Sequence, residues 1–140
     1  MPEAAISDDH ALEFLLAFDG RIHHLEQGYW LKFEIKRLAA TPERPHGLRY
    51  SFTLHGPDGK RLVGFDNAHG VPSKGSRFRK PPVEHDHWHR TENDAGRPYR
   101  FAGVDQLLAD FESEVMSVLD AHGVGRFVVS ESDITERGSR

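Results

Sequence analysis

Between Gly103 and Gly123 the apolar residues Val104, Leu107, Leu108, Phe111, Val115, Val118 and Leu119 recur every three or four positions. That spacing gathers all seven on one side of an α-helix. A stripe of this kind has to be covered, so the rest of the chain must supply an apolar surface to receive it. Gly103 is placed to cap the helix, with Gln106 three residues on, and Gly123 suits the left-handed turn that ends it. Asp105, Asp110, Glu112, Glu114 and Asp120 fall off the stripe and read as its wet side rather than as a catalytic carboxylate pair.

The receiving surface is legible upstream. Tyr29, Leu31, Phe33 and Ile35 alternate with Trp30, Lys32 and Glu34, the period-two pattern of a half-buried strand. Trp30 then falls on the wetter face or beneath a loop. Leu48, Tyr50, Phe52 and Leu54 alternate in the same way with Arg49, Ser51 and Thr53, and Gly56-Pro57-Asp58-Gly59 turns the chain into a third strand from Arg61 to Phe65. His23 and His24 also lie in a strand context. Residues 7–18 carry two patterns. Ser7-Asp8-Asp9 suits a helix cap ahead of Leu12, Leu15 and Leu16, whereas Glu13 to Phe18 before Asp19-Gly20 reads as a strand entering a hairpin, and the strand is favoured.

Val71 to Pro98 is rich in Pro, Gly and charge, which predicts a long loop over 71–98. A short last strand is predicted over Arg126 to Val129, with a loose polar tail over 130–140. The expected fold is α+β: an antiparallel sheet of four or five strands with one long C-terminal helix packed on one face, in two layers. A chain of 140 residues suits a single domain over 1–140. It has no cysteine, so disulfides and thiolate metal sites are excluded and a divalent metal would need His, Asp or Glu. No apolar run reaches the roughly eighteen residues of a membrane span and no basic-then-apolar leader opens the chain, so no membrane is expected and the location is expected to be cytoplasmic.

The net charge of -4 conceals a division along the chain. Residues 1–20 carry five acids and no Lys or Arg, residues 21–90 carry thirteen Lys or Arg against seven acids, and residues 91–140 carry five against ten. A basic centre between acidic ends is compatible with a polyanion such as RNA, and equally with a mixed surface that has no target.

The chemistry-bearing stretch is His85-Asp86-His87-Trp88-His89-Arg90, downstream of Gly64-Phe65-Asp66-Asn67-Ala68-His69. In extended chain His85, His87 and His89 point to one side while Asp86 and Trp88 face away. Imidazoles sharing a side can hold a divalent metal, or supply a base and an acid to a phosphodiester, if Asp66, Asn67 and His69 converge on them. Arg90 can bond two phosphate oxygens with its planar fork. Lys74, Arg77, Arg79 and Lys80, with Phe78 between them, are candidate contacts to phosphates and a base. An exposed polar loop accounts for the same residues. His10, His46, His55 and His122 stand alone and read as solvated or hydrogen-bonded. No Gly-rich phosphate loop and no serine elbow is present, which sets aside nucleotide-binding kinases, dehydrogenases and the serine hydrolases.

Several ordered motifs carry a family likeness. Pro45-His46-Gly47-Leu48-Arg49-Tyr50-Ser51-Phe52-Thr53-Leu54, Arg61 to His69, Asp86-His87-Trp88-His89-Arg90, and Pro98-Tyr99-Arg100-Phe101 ahead of Asp105 to Phe111 resemble the TumE-like toxin family over about Leu12 to Leu119. The resemblance implies a bacterial toxin encoded beside an antitoxin with a helix-turn-helix domain, and maps the family's signature onto Phe65, Asp66, Asn67, His87 and His89. The insertion between His69 and His85 is longer than in shorter relatives.

Three readings stand at this point. The first is an RNA-directed toxin, a ribonuclease with catalytic Asp66, His87, His89 and Arg90, and with Asn67, Arg77, Arg79 and Lys80 on the substrate. The second is a non-catalytic module that occludes a protein surface. The third is a metal-dependent hydrolase of a small phosphorylated substrate, its divalent metal held by His and Asp.

Overall fold

The computed structural model of the chain describes residues 8–42, 45–67 and 86–134. Its elements run α1 (Asp8–Leu16), β1 (Arg21–His24), β2 (Trp30–Arg37), β3 (Leu48–His55), β4 (Arg61–Asp66), β5 (His87–His89), β6 (Arg97–Pro98), α2 (Val104–His122) and β7 (Ser130–Asp133). The strands make one antiparallel sheet in the order β6-β5-β4-β3-β2-β1-β7. No helix among the described residues is long and apolar enough to cross a membrane.

The three long strands follow the alternation read from the sequence. Leu31, Phe33 and Ile35 of β2, Leu48, Tyr50, Phe52 and Leu54 of β3, and Val63 and Phe65 of β4 are all buried on one face. The stripe of α2 lies on that face, with Val104, Leu107, Phe111, Val115, Val118 and Leu119 buried and Leu108 packed at its margin. Phe111 sits at the centre: its ring lies 5.9 Å from Phe33, 5.6 Å from Phe52 and 5.8 Å from Phe65, one aromatic from each central strand. The rings meet at steep angles, the arrangement their quadrupoles favour. Gly123 closes α2 at φ 70, with its N–H bonded to Asp120 O. The predicted β3–β4 hairpin forms around Gly59 at φ 86, and a bulge at Leu54/His55 absorbs its register shift.

Three expectations are corrected. Residues 8–16 form a helix rather than the favoured strand. A strand over 13–18 would put Leu15 on the face opposite Phe14 and Leu16, whereas the helix buries Leu15 with Leu12 and Leu16 beside it and leaves Phe14 60% exposed. The three-and-four spacing therefore prevails over the alternation. Among the described residues the sheet has seven strands rather than four or five, because β5, β6 and β7 are too short and polar to show a period. Two of them lie at the end of the predicted 71–98 loop, of which residues 68–85 fall outside the described part. The third, β7, begins at Ser130, directly after the predicted strand over Arg126 to Val129, and occupies the start of the predicted loose tail. Its polar residues are fixed by pairing with β1 and by Arg21 Nη1 on Glu131 at 2.6 Å and His24 Nε2 against Ser132 Oγ at 2.9 Å.

His23 faces the core side, its ring 5.6 Å from Phe18 and 5.2 Å from Phe33. Burial lowers its pKa from 6.5, against the opposing pull of Glu131.

This packing has two measurable consequences. Phe111→Ala should cost about 3–5 kcal/mol in a denaturant titration, while Asp120→Ala, on the exposed side of α2, should change stability little. The lowered pKa of His23 means that the unfolded chain takes up a proton first as the pH falls below 6.5. Its contribution is complete above that value and is lost on the acid side, so the unfolding midpoint of the wild type should fall with acid more steeply than that of His23→Phe.

Candidate active site on the open face of the sheet

The alternation that sends Phe65 and Trp88 towards α2 sends Asp66, His87 and His89 to the opposite face, which no helix among the described residues covers. In the ladder Ser51 lies opposite Asp66 and Asp66 opposite His87, while Thr53 lies opposite Gly64 and Gly64 opposite His89. Two rows of side chains thus cross the open face, and the ring centroids of His87 and His89 stand 6.3 Å apart. Both rings are half-buried.

His89 is the better defined of the two. Its Nδ1 lies 3.2 Å from the carbonyl oxygen of Asp94, which can only accept, so Nδ1 carries a proton. Its Nε2 lies 3.4 Å from Oδ2 of Asp66, at ion-pair distance but off hydrogen-bond geometry. Nε2 and Asp66 Oδ1 are both buried without a hydrogen-bond partner among the described residues. In the neutral ring a lone pair therefore faces a carboxylate that is 8% exposed. Asp66 and His89 are also chemically fit to share a metal, although no group of three or more His, Asp or Glu among the described residues is placed to hold one.

The same face carries an aromatic pair. Trp30 and His55 stack with centroids 4.0 Å apart and planes 6° from parallel. His55 is fixed by Nδ1 donating to Gly59 O and by Nε2 against Thr53 Oγ1, each at 2.9 Å. Trp30 is thus on the wetter face, as the alternation requires.

Other predicted site residues are placed elsewhere. Arg90 turns to the helix side, where its Nε lies 3.0 Å from Glu114 Oε1, Nη2 bonds the same oxygen, and the guanidinium stands over Trp88. The structure does not bring it together with His87 and His89. Asn67 is 3% exposed and works as a piece of backbone: Oδ1 accepts from Tyr50 N–H at 3.0 Å and Nδ2 donates to Leu48 O at 2.6 Å, which extends the ladder beyond β4. His69, His85, Arg77, Arg79 and Lys80 lie outside the described residues.

Sequence reasoning missed two groups of supporting residues. One surrounds Asp86, which is 5% exposed and faces away from His87 as expected. Tyr50 Oη donates to Asp86 Oδ2 at 2.6 Å. Leu48 N–H donates to His46 Nδ1 at 3.1 Å, which leaves the His46 proton on Nε2, 3.0 Å from the same carboxylate oxygen. Burial and the Asp86 charge push the pKa of the Tyr50 hydroxyl well above 10, so it stays a donor. Nothing in the spacing of His46, Tyr50 and Asp86 signals this contact. The other group is Arg61, Asp94 and Gly96 beside His89, and Asn93-Asp94-Ala95-Gly96 does carry the Asn/Asp/Gly signature of a turn. Tyr50→Phe should cost about 1–3 kcal/mol by leaving a buried carboxylate short of a donor. Unchanged stability in a urea titration would show that Asp86 does not rely on this phenol.

No curated protein and no solved structure matches the chain. The Toxin TumE family model matches residues 6–119, a span that runs from α1 into α2 and contains Asp66, His87 and His89. The chain belongs to the TumE toxin family, which makes it a toxin of a toxin–antitoxin system.

Proposed function

We propose that the chain is an RNA-directed toxin, a ribonuclease whose working groups are His87, His89 and Asp66. The reading rests chiefly on the convergence of these three side chains on the face that no helix among the described residues covers. Two imidazoles on one surface can divide the labour of phosphodiester cleavage. One removes the proton of a ribose 2′-hydroxyl as that oxygen attacks phosphorus, and the other, as imidazolium, returns a proton to the departing 5′ oxygen. Asp66, 3.4 Å from Nε2, is assigned to orient His89. Trp30 stacked on His55 gives the same face an aromatic surface suited to a base. The basic residues Arg77, Arg79 and Lys80 are proposed to draw in the polyanion, and Arg90, engaged by Glu114, is not assigned to the reaction. The partner is proposed to be a helix-turn-helix antitoxin and the site of action the bacterial cytoplasm.

A metal-assisted form of this reading draws on the bare Nε2 of His89 facing the buried carboxylate. Chelator separates the two: lost activity that a divalent metal restores assigns Asp66 and His89 to the metal, and indifference to chelator assigns them to proton transfer.

Replacing His87 or His89 by Ala should lower cleavage of RNA by about 10²–10⁴-fold and relieve growth arrest, with the fold and antitoxin binding intact. A doubly substituted chain that folds and remains fully toxic would remove the catalytic reading and leave the occluding module in its place.

A further inference from the structure

We infer that Arg61, Asp94 and Gly96 are positioning residues that fix His89 in its Nδ1–H tautomer and hold its Nε2 against Asp66. The inference rests on the reading of His89 as an active-site residue, and assigns the parts of the fold that set its chemistry.

The chain of contacts begins at Gly64, opposite His89 in the ladder. A Cβ there would come within 2.9 Å of Arg61 Cδ, so the glycine gives the arginine stem room to lie along the sheet. From that position Arg61 Nε donates to Arg90 O at 3.2 Å, and Nη2 donates to Thr91 O at 2.5 Å and to Asp94 O at 3.4 Å. The turn after β5 is thereby held by its carbonyls. Its other half is held by its N–H groups: the Asp94 carboxylate accepts from the backbone of Arg90 and of Gly96, and from Arg97 Nη2, each at 2.8 Å. Those backbone donors, with Arg97, keep the Asp94 carboxyl down at about 2, so it accepts as an anion.

A staple for the turn would account for these contacts without reference to His89. Two further observations connect them to the ring. The Asp94 carbonyl that receives Arg61 is the same one that receives His89 Nδ1–H, so the guanidinium orients the atom that selects the tautomer. Gly96, at φ +96, lies so close to the ring that a Cβ there would run into its Cε1 and Nδ1. The ring is thus gripped at Nδ1 and along one side, which keeps Nε2 turned to Asp66.

The test is nitrogen NMR of the imidazoles in the full chain, with His89 identified by the signal that His89→Gln removes. Under alkaline conditions, where the ring is neutral, the wild type should show His89 as the Nδ1–H tautomer. Gly96→Ala and Arg61→Lys should each move it to the Nε2–H form or a mixture, while the His23 and His24 signals stay in place. The same variants should lose about 10–100-fold in RNA cleavage or growth arrest. An Nε2–H tautomer in the wild type overturns the inference, and so does an unchanged tautomer in both variants. If Gly96→Ala fails to fold, the wild-type assignment and Arg61→Lys, which keeps the charge but cannot reach three carbonyls, decide the matter. The tautomer is read without substrate: a chain with the expected tautomer but no action on RNA would keep the positioning network and lose only the ribonuclease reading.

Discussion

The insertion of Phe111 among Phe33, Phe52 and Phe65 is the contact on which the rest of this structure depends. One helical residue takes a partner from each of the three central strands, and in doing so fixes which face of each strand is inner. Because side chains alternate, a register slip of one residue in β4 would exchange Phe65 for Asp66 beneath the helix. The cost of burying that carboxylate in an apolar layer is what protects the register. The open face is the complement of this choice: Ser51, Thr53, Asp66, His87 and His89 stand there because their neighbours are needed on the other side.

What could be read in advance divides along physical lines. The long strands and α2 were legible because burial over many residues imposes a period, and seven apolar positions at helical spacing have to be covered by something. The pairing of Asp66 with a histidine two strand-residues from its ladder partner was approachable, since His87 and His89 share a side and Asp66 ends a strand. The short strands were not. Three residues at His87–His89 and two at Arg97–Pro98 show no period, and Ser130–Asp133 is a strand only because β1 offers it a ladder. Residues 8–16 carried both periods, and the spacing of Leu12, Leu15 and Leu16 prevailed once α2 offered a surface to pack on. Arg90 stands apart from His87 and His89 for a simpler reason: continuing the alternation past His89 puts it on the helix side, facing Glu114.

The composition of the inner layer also dictates why polar contacts cluster at one end of it. Tyr50 continues the apolar row of β3 but carries a hydroxyl that needs a partner when buried, and the Asp86 carboxylate answers it. That carboxylate is itself tolerated in the interior only because His46 supplies a second donor from the far side. The backbone joins in, with Tyr99 N–H donating to Asp86 O at 2.8 Å. One buried acid thus ties β3, the start of β5 and the segment entering α2.

A strand of three residues cannot fix its side chains by its own ladder, and β5 is secured at both ends by carboxylates, Asp86 before it and Asp94 after it. Their ionisation then decides whether the site keeps its shape while the histidines change charge. For Asp94 the answer follows from the direction of its shift. Its carboxyl lies at about 2 in the folded chain against 3.8 as the ordinary value, so its contribution is complete above 3.8 and is lost only as the pH falls through about 2. The Tyr50 hydroxyl is displaced the other way, far above neutrality, and remains a donor throughout. An imidazole ordinarily exchanges its proton near 6.5, well inside that interval. The Asp94 carboxylate and the Tyr50 hydroxyl therefore keep their charge states across the range in which an ordinary imidazole gains or loses its proton, so the turn after β5 and the phenol before it hold their hydrogen bonds there.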